Sequence, residues 1–133
     1  MNKHILLVED SEKNFKPITE ELEAAGFRVT QVTRLPLHPT EIGFRDLLEQ
    51  ASTFDLVIWD GVMAIAGKTA HQVNTATDGF ITAFKTVFSG PMIANSSVAG
   101  FRIMQMKAGC THTVSRQTFG CPEAIELAKR LLA

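Results

Sequence analysis

The sequence predicts a single α/β domain in which five strand and helix units alternate around a parallel sheet. Three observations carry that prediction. Apolar patterning switches repeatedly between short continuous runs and helical spacing, which is how alternating strands and helices read. Runs such as "HILLV" and "DLVIW" are apolar on successive residues, as strands covered on both faces must be. A chain of 133 residues with 45% hydrophobic content can bury one core but not two.

His4 to Val8 is the first strand, and from Ser11 the pattern turns helical, with Phe15, Ile18, Leu22 and Ala25 on one face. Gly26 supplies the stop, because glycine tolerates the backbone that ends a helix. "FRVTQVT" alternates as a second strand. "RLPLHPTEIG", with two prolines and a glycine, reads as a connection into a helix whose apolar positions include Leu47, Leu48 and Ala51. "DLVIWD" is the third strand, and Phe80, Phe84, Val87 and Phe88 recur at helical spacing before Gly90 and Pro91. "PMIANSS" is a fourth strand that ends in polar residues; a helix over Val98 to Lys107, a strand "HTVS" and a helix over Pro122 to Leu132 follow. No linker and no internal repeat interrupts the five units.

Composition removes several function classes. Lys and Arg number 13 against 14 Asp and Glu, so the formal charge of -1 offers no basic field for a nucleic-acid backbone. "MNKHILLVED" meets acids too early for a secretory segment, and no apolar run reaches the roughly 18 residues of a membrane span, so a cytoplasmic protein is expected. Cys110 and Cys121 lack CxxC or zinc-type spacing and read as thiols in or near a core. His4, His38, His71 and His112 form no ligand pattern, which leaves them as surface or strand-end residues. The nine Phe residues fall mainly at apolar positions and suit core packing rather than base stacking. Lys13 and Lys16 read as solvated charges.

"GVMAIAGKT" resembles a phosphate-binding G-x-x-x-x-G-K-[ST] loop but fails its spacing. Five residues, bulky ones, lie between Gly61 and Gly67, where such a loop needs four that let backbone amides close on phosphates. The chemistry belongs instead to the preceding carboxylate. In an open parallel sheet, ligands bind outside the carboxyl ends of the strands. Glu9 and Asp10 end the first strand, Asp60 the third, Ser96 and Ser97 the fourth, and Ser115 and Arg116 the fifth. Converging carboxylates repel, so such a cluster calls for raised pKa values or a hard cation. Magnesium suits it, since that ion takes a few carboxylates, keeps waters and can hold a phosphoryl oxygen. A carboxylate beside it can act as nucleophile toward phosphorus while a hydroxyl and a cation steady the other oxygens. Taken one at a time, the same acids also read as solvated caps of the helices that follow.

With those residues in order, the chain resembles the receiver domain of two-component response regulators. "HILLVEDSE" is similar to that family's first strand and acidic pair, "DLVIWDGVM" to its phosphoacceptor strand, "PMIANSS" to its fourth strand with a terminal hydroxyl residue, and "AGCTHTVSR" to its AGA-x-x-aromatic-x-x-Lys segment. The resemblance implies a doubly wound, flavodoxin-like (βα)5 fold with sheet order 2-1-3-4-5 and one receiver-like domain over residues 1–133; with the last helix running to Ala133, a stand-alone receiver with no output domain is expected. It implies Asp60 as the aspartate phosphorylated by a histidine kinase or phosphotransfer protein. Asp10, Asp60 and the Val62 carbonyl would ligate Mg2+, Glu9 would act through water, and Ser96 and Arg116 would meet the phosphoryl group. The implied activity is signalling through a partner surface, with at most self-phosphorylation and autodephosphorylation. Its partners would be the kinase, a downstream protein and, as one option, a second copy of the chain, with no nucleic acid or membrane.

Three positions depart from the family pattern. Arg116 stands where the family has lysine, Thr113 where it has an aromatic residue, and Ala64 where a proline follows the phosphoacceptor. Arginine keeps the charge but exchanges a compact ammonium for a planar fork. A degenerate receiver that serves as a phosphorylation-independent interaction module is therefore the alternative. "KTAHQVNTATDG", Lys68 to Gly79, reads as an addition that could form a partner-specific loop.

Overall fold

The computed structural model describes residues 2–66 and 74–133. Its elements run β1 (His4–Val8), α1 (Glu12–Ala24), β2 (Arg28–Val32), α2 (Ile42–Glu49), β3 (Leu56–Trp59), β4 (Val62–Ala64), β5 (Asn74–Ala76), α3 (Asp78–Lys85), β6 (Met92–Ser96), α4 (Ala99–Ala108), β7 (His112–Ser115) and α5 (Pro122–Leu131). Five strands pair in parallel in the order β2-β1-β3-β6-β7. With the separate β4-β5 hairpin set aside, that is the expected order 2-1-3-4-5.

Alternation along the central strands divides the core into two layers. Leu6, Val8, Val57, Trp59, Met92 and Ala94 face one way, onto Phe44 of α2 and Phe80, Ile81 and Phe84 of α3. Ile5, Leu7, Leu56, Ile58 and Ile93 face the other way, onto Ile18 and Leu22 of α1 and Ala124, Ile125 and Ala128 of α5. Both faces of β1 and β3 are thus covered, which is why their sequences are apolar without a break. The Phe44 ring meets Phe80 edge-on at 4.9 Å and Phe84 at 6.4 Å. Each such side chain stabilises the fold by roughly 1.5–3 kcal/mol through burial.

Several expectations need correcting. The stretch from Lys68 to Gly79 is not simply an added loop: Asn74–Ala76 pairs antiparallel with Val62–Ala64, and Asp78 and Gly79 open α3. Lys68 to Val73 lie outside the described residues. A three-residue strand shows no periodicity, and its partner is ten residues away, so patterning could not reveal the pair. Ala25 is exposed just past α1, since Gly26 at φ 95° ends the helix before that position can turn inward. Val87 lies past α3 and is 53% exposed, and Ala51 sits in a short 3-10 turn over Ala51–Thr53 rather than on α2. Phe119 departs from the core-packing expectation, with its exposed ring under the Lys13 ammonium at 5.2 Å.

Other readings hold. Both cysteines are buried and free, and burial pushes the Cys110 thiol up to about 12. His4 is a buried strand-end residue, held by Thr30 Oγ1 at 2.7 Å. Among the described residues, no helix is long and apolar enough to cross a membrane.

Candidate functional site

The strand order reverses direction at β1, with β2 on one side and β3 on the other, so the loops that leave β1 and β3 diverge and open a crevice at their carboxyl ends. Register sets its walls: Val8 pairs with Trp59, and Trp59 with Ala94. Glu9, Asp10 and Asp60 therefore emerge side by side. One carboxylate oxygen from each lies within 4.8 Å of the others.

Burial makes this proximity costly. Glu9 is 1% exposed and Asp60 7%. Burial, the neighbouring Asp60 charge and the hydrogen bond between the two carboxyls push Glu9 up to about 8. Burial also raises Asp60, against the pull of Arg116, Glu9 and the Gly61 amide. The pair is thus built to share a proton or a cation rather than to carry two bare charges.

Arg116 reaches into the pair from the end of β7. Its Nη1 donates to Glu9 Oε1 at 3.1 Å and to Asp60 Oδ1 at 3.4 Å. Asp60 Oδ1 also accepts the Gly61 N–H at 2.7 Å, and Glu9 Oε2 accepts the Ser11 N–H at 3.2 Å. Asp10 is anchored differently, with Oδ2 accepting the Ala64 N–H at 2.9 Å. A cleft of about 230 Å³ opens beside Arg116, lined by Ser97, Gln117, Thr118 and Phe119.

The hairpin aims Val62. Thr77 N–H donates to the Gly61 carbonyl at 3.1 Å, so Gly61 and Thr77 form a hydrogen-bonded pair, and Val62 opposite Ala76 is a non-hydrogen-bonded one. The Val62 carbonyl accordingly turns away from β5, toward the edge on which the Ala64 N–H meets Asp10. Three carboxylates on one side of a crevice are donors a hard cation such as magnesium prefers. The residues fit that group.

Ser96 is 3% exposed and sits against the residue after Asp60: a Cβ on Gly61 would lie 2.8 Å from Ser96 Oγ and 2.9 Å from Phe101 Cβ. Its hydroxyl accepts the Val98 N–H at 3.1 Å, and among the described residues it makes no hydrogen bond to the acids. Thr113 is exposed, with its hydroxyl 3.4 Å from the Ala94 carbonyl.

Two residues at the site had escaped the sequence reading. Thr77 Oγ1 donates to the Asp60 carbonyl at 2.6 Å, and Gln105 Nε2 lies 3.1 Å from the Trp59 carbonyl and 3.0 Å from that of Asp60. A signal for Gln105 existed: it stands four residues after Phe101 and three before Ala108, on the inward face of α4. Of "GVMAIAGKT", Val62–Ala64 is a strand with Met63 and Ala64 fully buried rather than an open phosphate loop; Gly67 to Thr69 lie outside the described residues.

No protein-family model matches this sequence, and no curated protein matches it. Solved structures do. DrrB of Thermotoga maritima, a response regulator described as an OmpR/PhoB homologue, aligns over 99% of this chain at TM-score 0.70 and 17% identity; the chain spans 53% of its length. The chemotaxis protein CheY4 of Vibrio cholerae aligns over 98% of this chain and 99% of its own at TM-score 0.69 and 17% identity. A response regulator of Burkholderia pseudomallei, described with a phosphorylated aspartic acid, a calcium ion and citrate, aligns over 99% of this chain and 74% of its own at TM-score 0.63 and 12% identity. The chain has the response-regulator receiver fold.

Proposed function

We propose that this chain accepts a phosphoryl group on Asp60 from the phosphohistidine of a kinase or phosphotransfer protein, and signals through its surface to a downstream protein. The observation that carries the reading is the group of buried Glu9 and Asp60 with half-buried Asp10, with Arg116 on it, at the crevice of a receiver fold. An Asp60 carboxylate oxygen forms the new O–P bond while the P–N bond to the donor imidazole breaks, and the imidazole leaves with the electron pair and takes up a proton. Gly61 N–H and Arg116 hold Asp60 Oδ1, which orients the carboxylate. Magnesium, held by Asp10, Asp60 and the Val62 carbonyl with Glu9 acting through water, would neutralise the acids and polarise the phosphoryl oxygens. Ser96, whose hydroxyl packs against Gly61, would meet the incoming group. The Burkholderia neighbour's phosphorylated aspartic acid and calcium ion support this chemistry on the fold. A cytoplasmic location suits such a partner.

One observation favours a second reading. Arg116 already supplies a cation to Glu9 and Asp60 at 3.1 and 3.4 Å, as it would in a degenerate receiver that binds its partner without phosphorylation. Phosphodonor kinetics on three proteins separate the two. In a working receiver, Arg116→Lys keeps or raises the rate of Asp60 phosphorylation, and Arg116→Ala lowers it by removing charge stabilisation of the transition state. An Ala variant as fast as wild type would remove Arg116 from the site; a rate near zero in all three would favour the interaction module.

A further inference from the structure

Gln105 is the one fully buried residue of α4, at 1% exposure, and it is polar. Its Nε2 faces three acceptors: the Trp59 carbonyl at 3.1 Å, the Asp60 carbonyl at 3.0 Å and Thr77 Oγ1 at 3.3 Å. Those oxygens fix the amide's orientation, because the flipped form would set Oε1 against carbonyls. Among the described residues Oε1 is then left buried without a partner, an arrangement that costs stability. An apolar side chain would fill the position without that penalty. A polar residue kept there at a cost to stability suggests a role beyond packing.

The partners say which role. Thr77 has one hydroxyl hydrogen, directed to the Asp60 carbonyl at 2.6 Å, so its oxygen is left to accept from Gln105. Two donors from different elements, one leading into α3 and one on α4, thus hold the main-chain oxygen of Asp60. Close packing reinforces the link, since Gly61 leaves no room for a Cβ against Ser96 and against Phe101 of α4. Beyond Gln105, α4 presents Ile103, Met104 and Met106 to solvent at 58, 40 and 38% exposure. Thr113 offers no comparable link, being exposed and bonded only weakly to the Ala94 carbonyl.

We propose that Gln105 is a positioning residue that couples the chemical state of Asp60 to α4, by holding the Asp60 carbonyl together with Thr77. The inference rests on Asp60 being the phosphoacceptor. A phosphoryl group on that side chain strains or shifts the main chain that Gln105 grips, and α4 moves with it.

Amide hydrogen exchange over residues 99–108, with and without magnesium and acetyl phosphate, tests this on wild type, Gln105→Met and Thr77→Val, with adducts counted by intact mass in the same samples. Both variants keep side-chain volume and leave the Asp60 carboxylate untouched. Wild type should change α4 exchange by about fivefold or more on loading, the lower range for coupled sites. Gln105→Met should form the adduct and lose that response, and Thr77→Val should form it and show a reduced one. A purely structural role would shift exchange equally in both states and leave the loading response intact. An adduct with an undiminished response in Gln105→Met, or no α4 response in loaded wild type, overturns the coupling and leaves the phosphoacceptor standing. No adduct in wild type overturns the phosphoacceptor reading and the coupling with it. Should Gln105→Met fail to fold, Thr77→Val decides by the same outcomes.

Discussion

Glu9→Gln should flatten the pH dependence of stability. In the wild type, burial, the Asp60 charge and the hydrogen bond to Asp60 carry the Glu9 carboxyl from 4.5 up to about 8. The folded state therefore keeps a proton that the unfolded chain releases at the ordinary value. Stability is full below pH 4.5 and falls as pH rises toward about 8, at ~1.4 kcal/mol per pH unit for one proton. Across that interval the loss is on the order of 5 kcal/mol at most, an upper figure because Glu9 and Asp60 titrate as a pair. Glutamine keeps the volume and can still accept from Arg116, but it never charges. At pH 8 and above the variant should exceed wild type by about 2 kcal/mol or more, with only the Asp60 part of the slope remaining. Urea midpoints from pH 5 to 9, in buffer stripped of divalent ions, give the comparison. Parallel curves for the two proteins, or a wild type that gains stability between pH 5 and 8, would refute the reasoning.

Further outcomes follow from the same geometry. Magnesium should alter the emission of Trp59, whose ring is fully buried and whose carbonyl is held by Gln105 one residue before Asp60, and Asp10→Ala should abolish the change; a flat titration of wild type counts against the metal site. Asp60→Asn should stabilise the fold by roughly 0.5–2 kcal/mol, read as a higher denaturant midpoint without magnesium, because it removes one of several clustered charges kept for function. A loss of stability would speak against that repulsion. Gly61→Ala should cost about 1–3 kcal/mol in thermal or urea unfolding, since its Cβ would overpack the site, at 2.8 Å from Ser96 Oγ and 2.9 Å from Phe101 Cβ. An unchanged midpoint would mean that α4 yields easily.

Much of the sheet was legible because it depends on patterning that survives in one dimension. Val8 and Trp59 end apolar runs, and the acids that follow each run fall side by side once the strands pair in register. The hairpin was not legible, because Val62–Ala64 and Asn74–Ala76 are too short to show a period and pair across residues the sequence marks only as a polar addition. Gln105 was missed for a related reason: α4 carries apolar Ile103, Met104 and Met106 outward, so its inward face does not stand out by hydrophobicity. Arg116 was placed at the site by its position after "HTVS", but its bond to Glu9 Oε1 was not foreseen. That contact depends on the length of the guanidinium arm and on Glu9 being drawn beneath it, neither of which residue spacing encodes.

The most direct test of the central claim is intact-mass analysis of wild type and Asp60→Asn after incubation with magnesium and acetyl phosphate. A single phosphoryl adduct on the wild type, absent from the variant, is the predicted result. No adduct on either protein, or an adduct that persists in Asp60→Asn, would contradict it.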